Sequence, residues 1–298
     1  MNLQYALWFL GALVISLGLF ACMNRGKKGI LRQCLLMGFF GTVLGLVLAK
    51  LVYYFAMINF VMMYGWLQSL VDITAGTFSY YGGVAGFCLG VVLTARLTQQ
   101  KPMALLNAFA PAGVLLAALA RFGEFFLDGV GTRDFLYWEL PGHCFFPLAV
   151  PNEYGDWLYA IFMLEGLLTL VVFVVCLIWL KKHRFLRSLF YLCLLQILCE
   201  SLRSDSFTWL FVKVEQLICM LGSAGVILVY CVKTPGVRRR WLPVVFCVLA
   251  AAIFVVLEFA FNGKLPLPKP LCYGVMIAVL AGLSLNEAWA FKRMDAKA

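Results

Sequence analysis

Two pairs of an arginine and a glutamate, each three residues apart, carry the clearest chemistry in this sequence. Arg121 and Glu124 lie at the end of one long apolar run, and Glu200 and Arg203 lie at the end of another. A guanidinium presents parallel donors that match phosphate oxygens, and a carboxylate can take up a proton. Residues three apart lie on one helix face, as we expect for Glu200 and Arg203. The four residues therefore predict either two ion pairs that stabilise helix ends or one shared polar cavity for an anionic lipid headgroup.

Further unusual residues occur at the ends of neighbouring apolar runs. The stretch SYYGGVAGFCLG places Tyr80 and Tyr81 directly before Gly82 and Gly83, where a helix is predicted to begin. Glycine disfavours helix interiors, so the pair indicates that lipid or a neighbouring helix approaches the backbone. A helix N-terminus here also favours phosphate. Lys50 lies near the end of its run, where its ammonium either reaches the membrane interface or adds a third cation.

Glu165 is an acidic residue inside an apolar run. It lies eight residues into the predicted span 157–180, about 12 Å along a helix of 1.5 Å per residue. Ionisable groups inside or at the ends of spans are costly in lipid and are usually functional.

The elements that must position these residues are membrane-spanning helices. Hydrophobic residues make up 64% of the 298 residues, charged residues only 13%, and the mean hydropathy is +0.94. A soluble domain is nearer half apolar and a quarter charged. Apolar runs of about 20 residues predict spans at 3–22, 33–57, 78–95, 103–119, 157–180, 186–201, 209–232, 241–261 and 271–290. The predicted fold is all-α: a polytopic helical membrane protein with about nine transmembrane helices and a small outer head, residues 120–156, between helices four and five.

The net charge of +10 follows the predicted topology. Most lysines and arginines fall in alternate loops and at the C-terminal end, namely Arg25, Lys27, Lys28, Arg32, Arg96, Lys101, Lys181, Lys182, Arg184, Arg187, Lys233, Arg238, Arg239, Arg240, Lys292, Arg293 and Lys297. Because basic residues are retained on the cytoplasmic side, the N-terminus is predicted to lie outside and the C-terminus in the cytoplasm. This distribution argues against nucleic acid as a partner.

The cysteines and histidines predict neither a disulfide framework nor a metal site. Almost all of the eleven cysteines lie inside apolar spans, where cysteine behaves as a small hydrophobe. No spacing of cysteine or histidine is typical of metal ligation, and we expect neither a metal nor a cofactor.

Several sequence blocks, taken in order, resemble the prolipoprotein diacylglyceryl transferases of bacterial inner membranes. The resemblance covers residues 1 to about 235, and its specificity comes from the order and spacing of six blocks. These blocks are GTVLGLVLAKLVYYF, SYYGGVAGFCLGVVLTAR, LLNAFAPAGVLLAALARFGEFFLDG, WLYAIFMLEG, LQILCESLRSD and EQLICMLGSAGVILVY. The third is similar to the family's G-R-x-G-N-F signature, and the fifth to its R-x-x-x-E-F-F-R-x-P-D motif.

The resemblance implies a reaction and roles for residues. The family moves diacylglyceryl from phosphatidylglycerol to a cysteine thiol of a secreted precursor, the prolipoprotein, and releases glycerol phosphate. It implies that Arg121 and Arg203 clamp the lipid phosphate, while Glu124 or Glu200 takes the thiol proton. The residues expected to bind the lipid or the signal peptide are Lys50, Tyr80, Tyr81, Gly82, Gly83, Tyr159 and Gln196.

The chain departs from the family pattern at several of these positions. Tyr81 replaces a histidine, Glu124 an asparagine, Gln196 an arginine and Lys50 an arginine. These changes leave open an alternative, in which the chain is a catalytically altered relative that binds anionic phospholipid or uses another acceptor. A transporter is a third interpretation, but the internal repeats and broken helices typical of one are not seen.

The resemblance also implies an organisation and a location. Residues 1–235 would form a diacylglyceryl-transferase-like core of seven helices, and residues 236–298 a two-helix C-terminal extension. The expected location is the bacterial inner membrane, with phosphatidylglycerol, the prolipoprotein signal peptide and membrane lipid as partners.

Overall fold

The computed structural model describes residues 3–71, 75–134, 144–209, 212–234, 240–261 and 263–295. The long helices are α1 Leu3–Met23, α2 Ile30–Ala56, α5 Tyr80–Leu97, α6 Pro102–Gly123, α7 Ile161–Ile178, α8 Arg184–Leu202, α9 Val214–Lys233, α10 Leu242–Phe261 and α11 Lys269–Asp295. Two short helices, α3 Ile58–Tyr64 and α4 Trp66–Val71, lie between α2 and α5, and 3₁₀ turns cover Ala75–Thr77 and Glu124–Phe126. The strands are β1 Arg133–Asp134, β2 Ala149–Pro151, β3 Trp157–Tyr159, β4 Thr208–Trp209 and β5 Val212–Lys213.

The described residues include nine helices that are long and apolar enough to cross a membrane. The prediction of an all-α polytopic membrane protein with about nine spans is thereby confirmed. Helices are the natural solution because lipid offers no hydrogen bonds, so each span must satisfy its backbone internally. Of the basic residues used to predict orientation, Arg238, Arg239 and Lys297 lie outside the described residues.

The chain divides into two compact units. Unit 1 comprises Met1–Phe185 and Leu202–Phe207, and unit 2 comprises Leu186–Ser201 and Thr208–Ala298. The division into a seven-helix core and a C-terminal extension near residue 235 stays a prediction.

In unit 1, helices α2 and α5 pack closely along a row of small residues. On α5 the row is Gly82, Gly86 and Gly90, at the four-residue spacing that aligns side chains on one helix face. A methyl group on Gly82 would stand 2.8 Å from the carbonyl oxygen of Leu48, and one on Gly90 would stand 2.5 Å from the Cα of Gly41. Small residues allow this approach of two backbones, which is how helices commonly associate in lipid.

Unit 1 also contains a small sheet in the predicted head between α6 and α7. Strands β1 and β2 both pair antiparallel with β3, which gives the order β1-β3-β2. Tyr159 lies opposite Arg133 on one side and Ala149 on the other. Residues 135–143 of the predicted head lie outside the described residues. The sheet leads directly into α7, so it fixes where that helix begins.

Unit 2 contains most of α8, all of α9 to α11, and the antiparallel pair of strands β4 and β5. An ion pair between the partly exposed Arg187 and the buried Glu287 joins α8 to α11, with Arg187 Nε 2.7 Å from Glu287 Oε1. The hydroxyl of Tyr191 donates to Glu287 Oε2 at 2.9 Å. A buried carboxylate needs such partners because leaving it unpaired would cost several kcal/mol.

Candidate active site

Arg121 lies in the last turn of α6 and is almost completely buried. The helix begins with Pro102 at a first-turn position that tolerates the missing N–H, and its last turn favours a cation because of the helix dipole. The guanidinium is held between two carboxylates: Nη1 lies 2.5 Å from Glu124 Oε1, and Nε lies 2.8 Å from Glu165 Oε2. The pairing of Arg121 with Glu124 agrees with their three-residue spacing in the sequence.

Arg203 brings a second guanidinium to the same carboxylates within unit 1. Its Nη1 lies 3.3 Å from Glu165 Oε2 and 3.7 Å from Glu124 Oε2. The two arginines therefore share Glu165 Oε2 as a common acceptor. We call Arg121, Glu124, Glu165, Arg203 and Asp205 the Arg–Glu cluster.

Asp205 completes the cluster through a two-point pairing with Arg203. Arg203 Nε donates to Asp205 Oδ1 at 3.0 Å, and Nη2 donates to Oδ2 at 2.8 Å. The backbone N–H of Gly131 donates to Oδ2 as well, at 2.9 Å. Burial raises the pKa of the Asp205 carboxyl, but the hydrogen bonds and charge of Arg203 and the Gly131 N–H outweigh it, so the pKa lies below its ordinary value.

The loop at Gly131 fits against the carboxylates because this residue has no side chain. Gly131 has a φ of +70°, and a methyl group there would collide with Glu124 Oε2 and stand 2.8 Å from Phe162 Cβ. The N–H of Phe162 donates to the Gly131 carbonyl at 2.8 Å. The loop therefore holds the start of α7 and the Asp205 carboxylate together.

Tyr80 packs directly on Arg121. The guanidinium carbon of Arg121 lies 3.5 Å from the centroid of the Tyr80 ring, and the hydroxyl donates to the Ala117 carbonyl at 2.8 Å. Tyr81 is buried and packs edge-on against Tyr80, with ring centroids 5.3 Å apart. The aromatic face therefore stabilises the cation and restricts its orientation.

The predicted glycine pair has two different surroundings. Gly82 packs on the α2 backbone, whereas a methyl on Gly83 would have its nearest neighbours at 3.8 and 3.9 Å. The N–H of Gly82 already donates to the Ser79 side chain at 3.1 Å, which caps the start of α5. The glycine pair was explained either by close approach of a neighbour to the backbone or by phosphate binding at the helix N-terminus. Close approach of α2 accounts for Gly82, whose N–H already has an acceptor within the protein.

Lys50 lies near the C-terminal end of α2, against residues that precede α5. Its Nζ donates to Thr77 Oγ1 at 2.9 Å and lies 5.0 Å from the Phe78 ring and 5.2 Å from the Tyr53 ring. Tyr159 lies at the end of β3 and is partly buried. The headgroup-binding roles predicted for Lys50 and Tyr159 stay predictions.

Gln196 and Glu200 lie in unit 2, whereas Arg203 belongs to unit 1. Gln196 Nε2 donates to Glu200 Oε2 at 2.7 Å, and the ammonium of Lys213 donates to the Glu200 carbonyl at 2.5 Å. The expectation that Glu200 and Arg203 share one helix face is wrong, because α8 ends at Leu202 and the helical spacing stops there.

Glu165, Asp205 and Gly131 were not among the residues that the sequence assigned to the site. The sequence did mark Glu165 as unusual, because it is acidic and lies inside an apolar run. Its predicted distance of about 12 Å from the start of the helix is too long. Helix α7 begins at Ile161, so Glu165 lies about 6 Å from the helix start. Asp205 gave two signals, its proximity to Arg203 and its place at the end of the fifth sequence block, and Gly131 gave none beyond its residue type.

The cluster contains one more carboxylate than it has guanidiniums. Two guanidiniums face three carboxylates. Glu124 Oε2 accepts no hydrogen bond from any residue that the structure describes, although it is buried. A buried oxygen without a donor is costly, and such an atom can accept a hydrogen bond from a group that enters the site.

Comparison with known proteins relates this chain to one family of enzymes. The family model of the prolipoprotein diacylglyceryl transferases matches residues 3–232. A protein of Clostridium novyi (strain NT) named phosphatidylglycerol–prolipoprotein diacylglyceryl transferase is 26% identical over 160 residues. That alignment covers 51% of this chain and 61% of the relative. The family match spans α1 to α9 and most of the chain, and this chain therefore belongs to the prolipoprotein diacylglyceryl transferase family.

Proposed function

We propose that this protein transfers a diacylglyceryl group from phosphatidylglycerol to the cysteine thiol of a prolipoprotein. The observation that carries the proposal is the Arg–Glu cluster, in which both guanidiniums approach Glu124. Arg121 Nη1 lies 2.5 Å from Glu124 Oε1, and Arg203 Nη1 lies 3.7 Å from Glu124 Oε2, an oxygen that accepts no hydrogen bond from the described residues. The family and the name of the Clostridium novyi relative supply the reaction. We expect α6 to end at the outer face of the membrane, as the distribution of basic residues predicts.

The reaction needs a cation at the phosphate and a base at the thiol. The thiolate sulfur forms a bond to the glycerol carbon, while the bond from that carbon to the phosphate oxygen breaks. The electron pair leaves with this oxygen as glycerol phosphate, and the thiol proton passes to Glu124 Oε2. Arg121 and Arg203 stabilise the charge that develops on the phosphate, which is the usual role of such donors in a low-dielectric site.

Tyr80 would assist Arg121 without contacting the reacting atoms. Because the ring lies 3.5 Å from the guanidinium carbon, it fixes the plane in which the donors point. Such positioning keeps the donors aligned before the phosphate arrives, so that little reorganisation is needed during the reaction.

The second partner would be the signal peptide of the prolipoprotein. We propose that the protein lies in the bacterial inner membrane with its N-terminus outside and its C-terminus in the cytoplasm. Lys50, Tyr81, Gly83, Tyr159, Gln196 and Glu200 keep their predicted roles in binding the two substrates or in accepting the proton.

A second candidate function is a relative that binds anionic phospholipid without this transfer. It is favoured by the third carboxylate of the cluster, because Glu124 stands where the family has an asparagine and leaves the five groups with a net charge of −1 when all are ionised. A net negative site binds phosphate less readily than a net positive one.

The two functions are separated by a transfer assay with purified protein in lipid vesicles. A peptide with a lipoprotein signal sequence and its cysteine is incubated with phosphatidylglycerol, and the lipidated peptide is measured by mass spectrometry. Arg203→Lys keeps the charge but loses the two-point geometry, and we expect its rate to fall roughly 100-fold or more. Arg133→Ala, which removes an arginine of the β1–β3 sheet, is the matched control and should retain activity.

Absence of product from the wild type, with phosphatidylglycerol nevertheless bound, would establish the second candidate. Equal rates for Arg203→Lys and Arg133→Ala would show that the cluster takes no part in the transfer. Size-exclusion profiles of each variant confirm that a lost rate does not reflect misfolding.

A further inference from the structure

Three hydrogen-bond donors of unit 1 converge on the carboxylate of Asp205. Two belong to the guanidinium of Arg203, at 3.0 Å from Oδ1 and 2.8 Å from Oδ2, and the third is the N–H of Gly131, at 2.9 Å from Oδ2. A guanidinium fork combined with a backbone N–H is a common way of binding a phosphate or a carboxylate from outside. Here the anion is supplied by the chain itself.

Asp205 is the most accessible of the five side chains in the Arg–Glu cluster. Its side chain is 26% exposed, against 9% for Arg203 and 1% for Glu165. It also follows α8 in a short connection rather than lying within a helix. The carboxylate can therefore leave the guanidinium without moving a membrane span, whereas Glu165 is fixed inside α7.

We infer that Arg203 and the Gly131 N–H form an anion-binding subsite that Asp205 occupies until the phosphate of a lipid headgroup replaces it. This inference rests on the proposed function, because it specifies how the lipid substrate gains access to Arg203. It adds a donor, the Gly131 N–H, and an internal competitor, Asp205, that the match to the family signature does not assign.

The exchange is feasible in electrostatic terms. With Asp205 withdrawn, two guanidiniums face two carboxylates, so the remaining cluster is neutral. A phosphodiester carries one negative charge, and its two free oxygens can take the positions of Oδ1 and Oδ2. One monoanion thus replaces another, and the Nε and Nη2 donors of Arg203 are not left without an acceptor, which would be costly in a buried group.

The test is the binding of a short-chain phosphatidylglycerol to the purified full-length chain. Asp205→Asn keeps the shape of the side chain but removes the charge that competes with phosphate. Because charge-assisted hydrogen bonds are about twice as strong as neutral ones, we expect the dissociation constant of Asp205→Asn to fall about tenfold. Asp156→Asn removes the same charge from an exposed position of the head and should leave the dissociation constant unchanged.

Two further ligands identify what the subsite recognises. Glycerol phosphate should also bind Asp205→Asn more tightly, and diacylglycerol with the same acyl chains, which lacks phosphate, should not. Tightening for glycerol phosphate alone would overturn the inference, because the subsite would then take the released product rather than the lipid. Equal tightening for diacylglycerol would overturn it as well.

A measurement on the wild type tests the inference even if Asp205→Asn does not fold. Replacement of Asp205 by lipid phosphate releases residues 205 and 206, which lie between Ser204, bound to the Thr132 carbonyl, and Phe207, packed on Tyr53. Amide hydrogen exchange at residues 205 and 206 should therefore accelerate when phosphatidylglycerol is added. Slower or unchanged exchange would mean that Asp205 remains bound to Arg203 and is only a structural partner. Both measurements concern binding, so they remain informative if the transfer assay finds no reaction.

Discussion

Substitution of Gly131 by alanine tests whether the loop contact with Glu124 exists and matters. An alanine there has to adopt a φ of +70°, which costs roughly 1–2 kcal/mol for a residue with a Cβ. Its methyl group would also overlap Glu124 Oε2 and approach Phe162 Cβ to 2.8 Å. Overpacking of this kind costs about 1–3 kcal/mol. We expect Gly131→Ala to lower the free energy of unfolding by about 3 kcal/mol in total.

Gly129 of the same loop provides a matched control. Its φ is +68°, but a methyl group there would meet no atom within 4 Å. Gly129→Ala should therefore bear the conformational cost alone, and any gain from a less flexible unfolded chain applies equally to both variants. The difference between the two, about 2 kcal/mol, measures the overlap with Glu124 and Phe162.

Both variants can be compared by equilibrium unfolding of the purified protein in detergent micelles, together with the peptide-transfer assay. Gly131→Ala should lose activity as well as stability, because the Glu124 carboxylate must move. Identical losses of stability in Gly131→Ala and Gly129→Ala would refute the reasoning, since the contact would then contribute nothing.

Three more predictions follow from unit 1. Glu165→Gln should lower the free energy of unfolding by roughly 3 kcal/mol, because it removes a buried charge shared by two guanidiniums, whereas the exposed Glu153→Gln should change it by less than about 0.5 kcal/mol. Gly82→Ala should cost about 2 kcal/mol through overlap with the α2 backbone, and Gly83→Ala, with ordinary space around it, should be nearly neutral in the same unfolding measurement. The pKa of Asp205 is lower in the folded protein than in the unfolded chain, where an aspartate titrates at about pH 4. The ionised Asp205 therefore stabilises the folded state fully above about pH 4, and this stabilisation is lost as the pH falls through the folded-state pKa. An unfolding series from pH 7 to pH 3 should therefore show a smaller loss for Asp205→Asn than for the wild type; equal losses would contradict this prediction.

The spans and the first ion pair were predictable from the sequence because their causes are local. A run of about 20 apolar residues is sufficient to indicate a membrane helix. Arg121 and Glu124 lie three residues apart at a helix end, and this spacing brings their side chains together wherever the helix packs. The nine spans and the Arg121–Glu124 contact accordingly agree with the expectations from sequence.

The rest of the cluster was not predictable because it depends on where the chain leaves its helices. Arg203 was expected on the face of a helix, but α8 ends at Leu202, which redirects the guanidinium toward Glu165. Glu165 was expected deep in a span, and the strand that ends at Tyr159 delays the start of α7. Gly131 acts through its backbone, and only the folded loop places its N–H at Asp205.

A purely structural role for the Arg–Glu cluster is difficult to reconcile with its composition. Buried ion pairs contribute little net stability, since desolvation offsets much of their attraction. A group that served only to fasten α6 to α7 would need one arginine and one glutamate, as Arg187 and Glu287 provide in unit 2. The cluster instead has an excess carboxylate, a Glu124 oxygen that accepts no hydrogen bond from the described part of the chain, and an accessible Asp205 in the fork of Arg203. The excess carboxylate and the unsatisfied oxygen add cost to the folded protein, and all three features are accounted for if a proton donor and an anion arrive from outside.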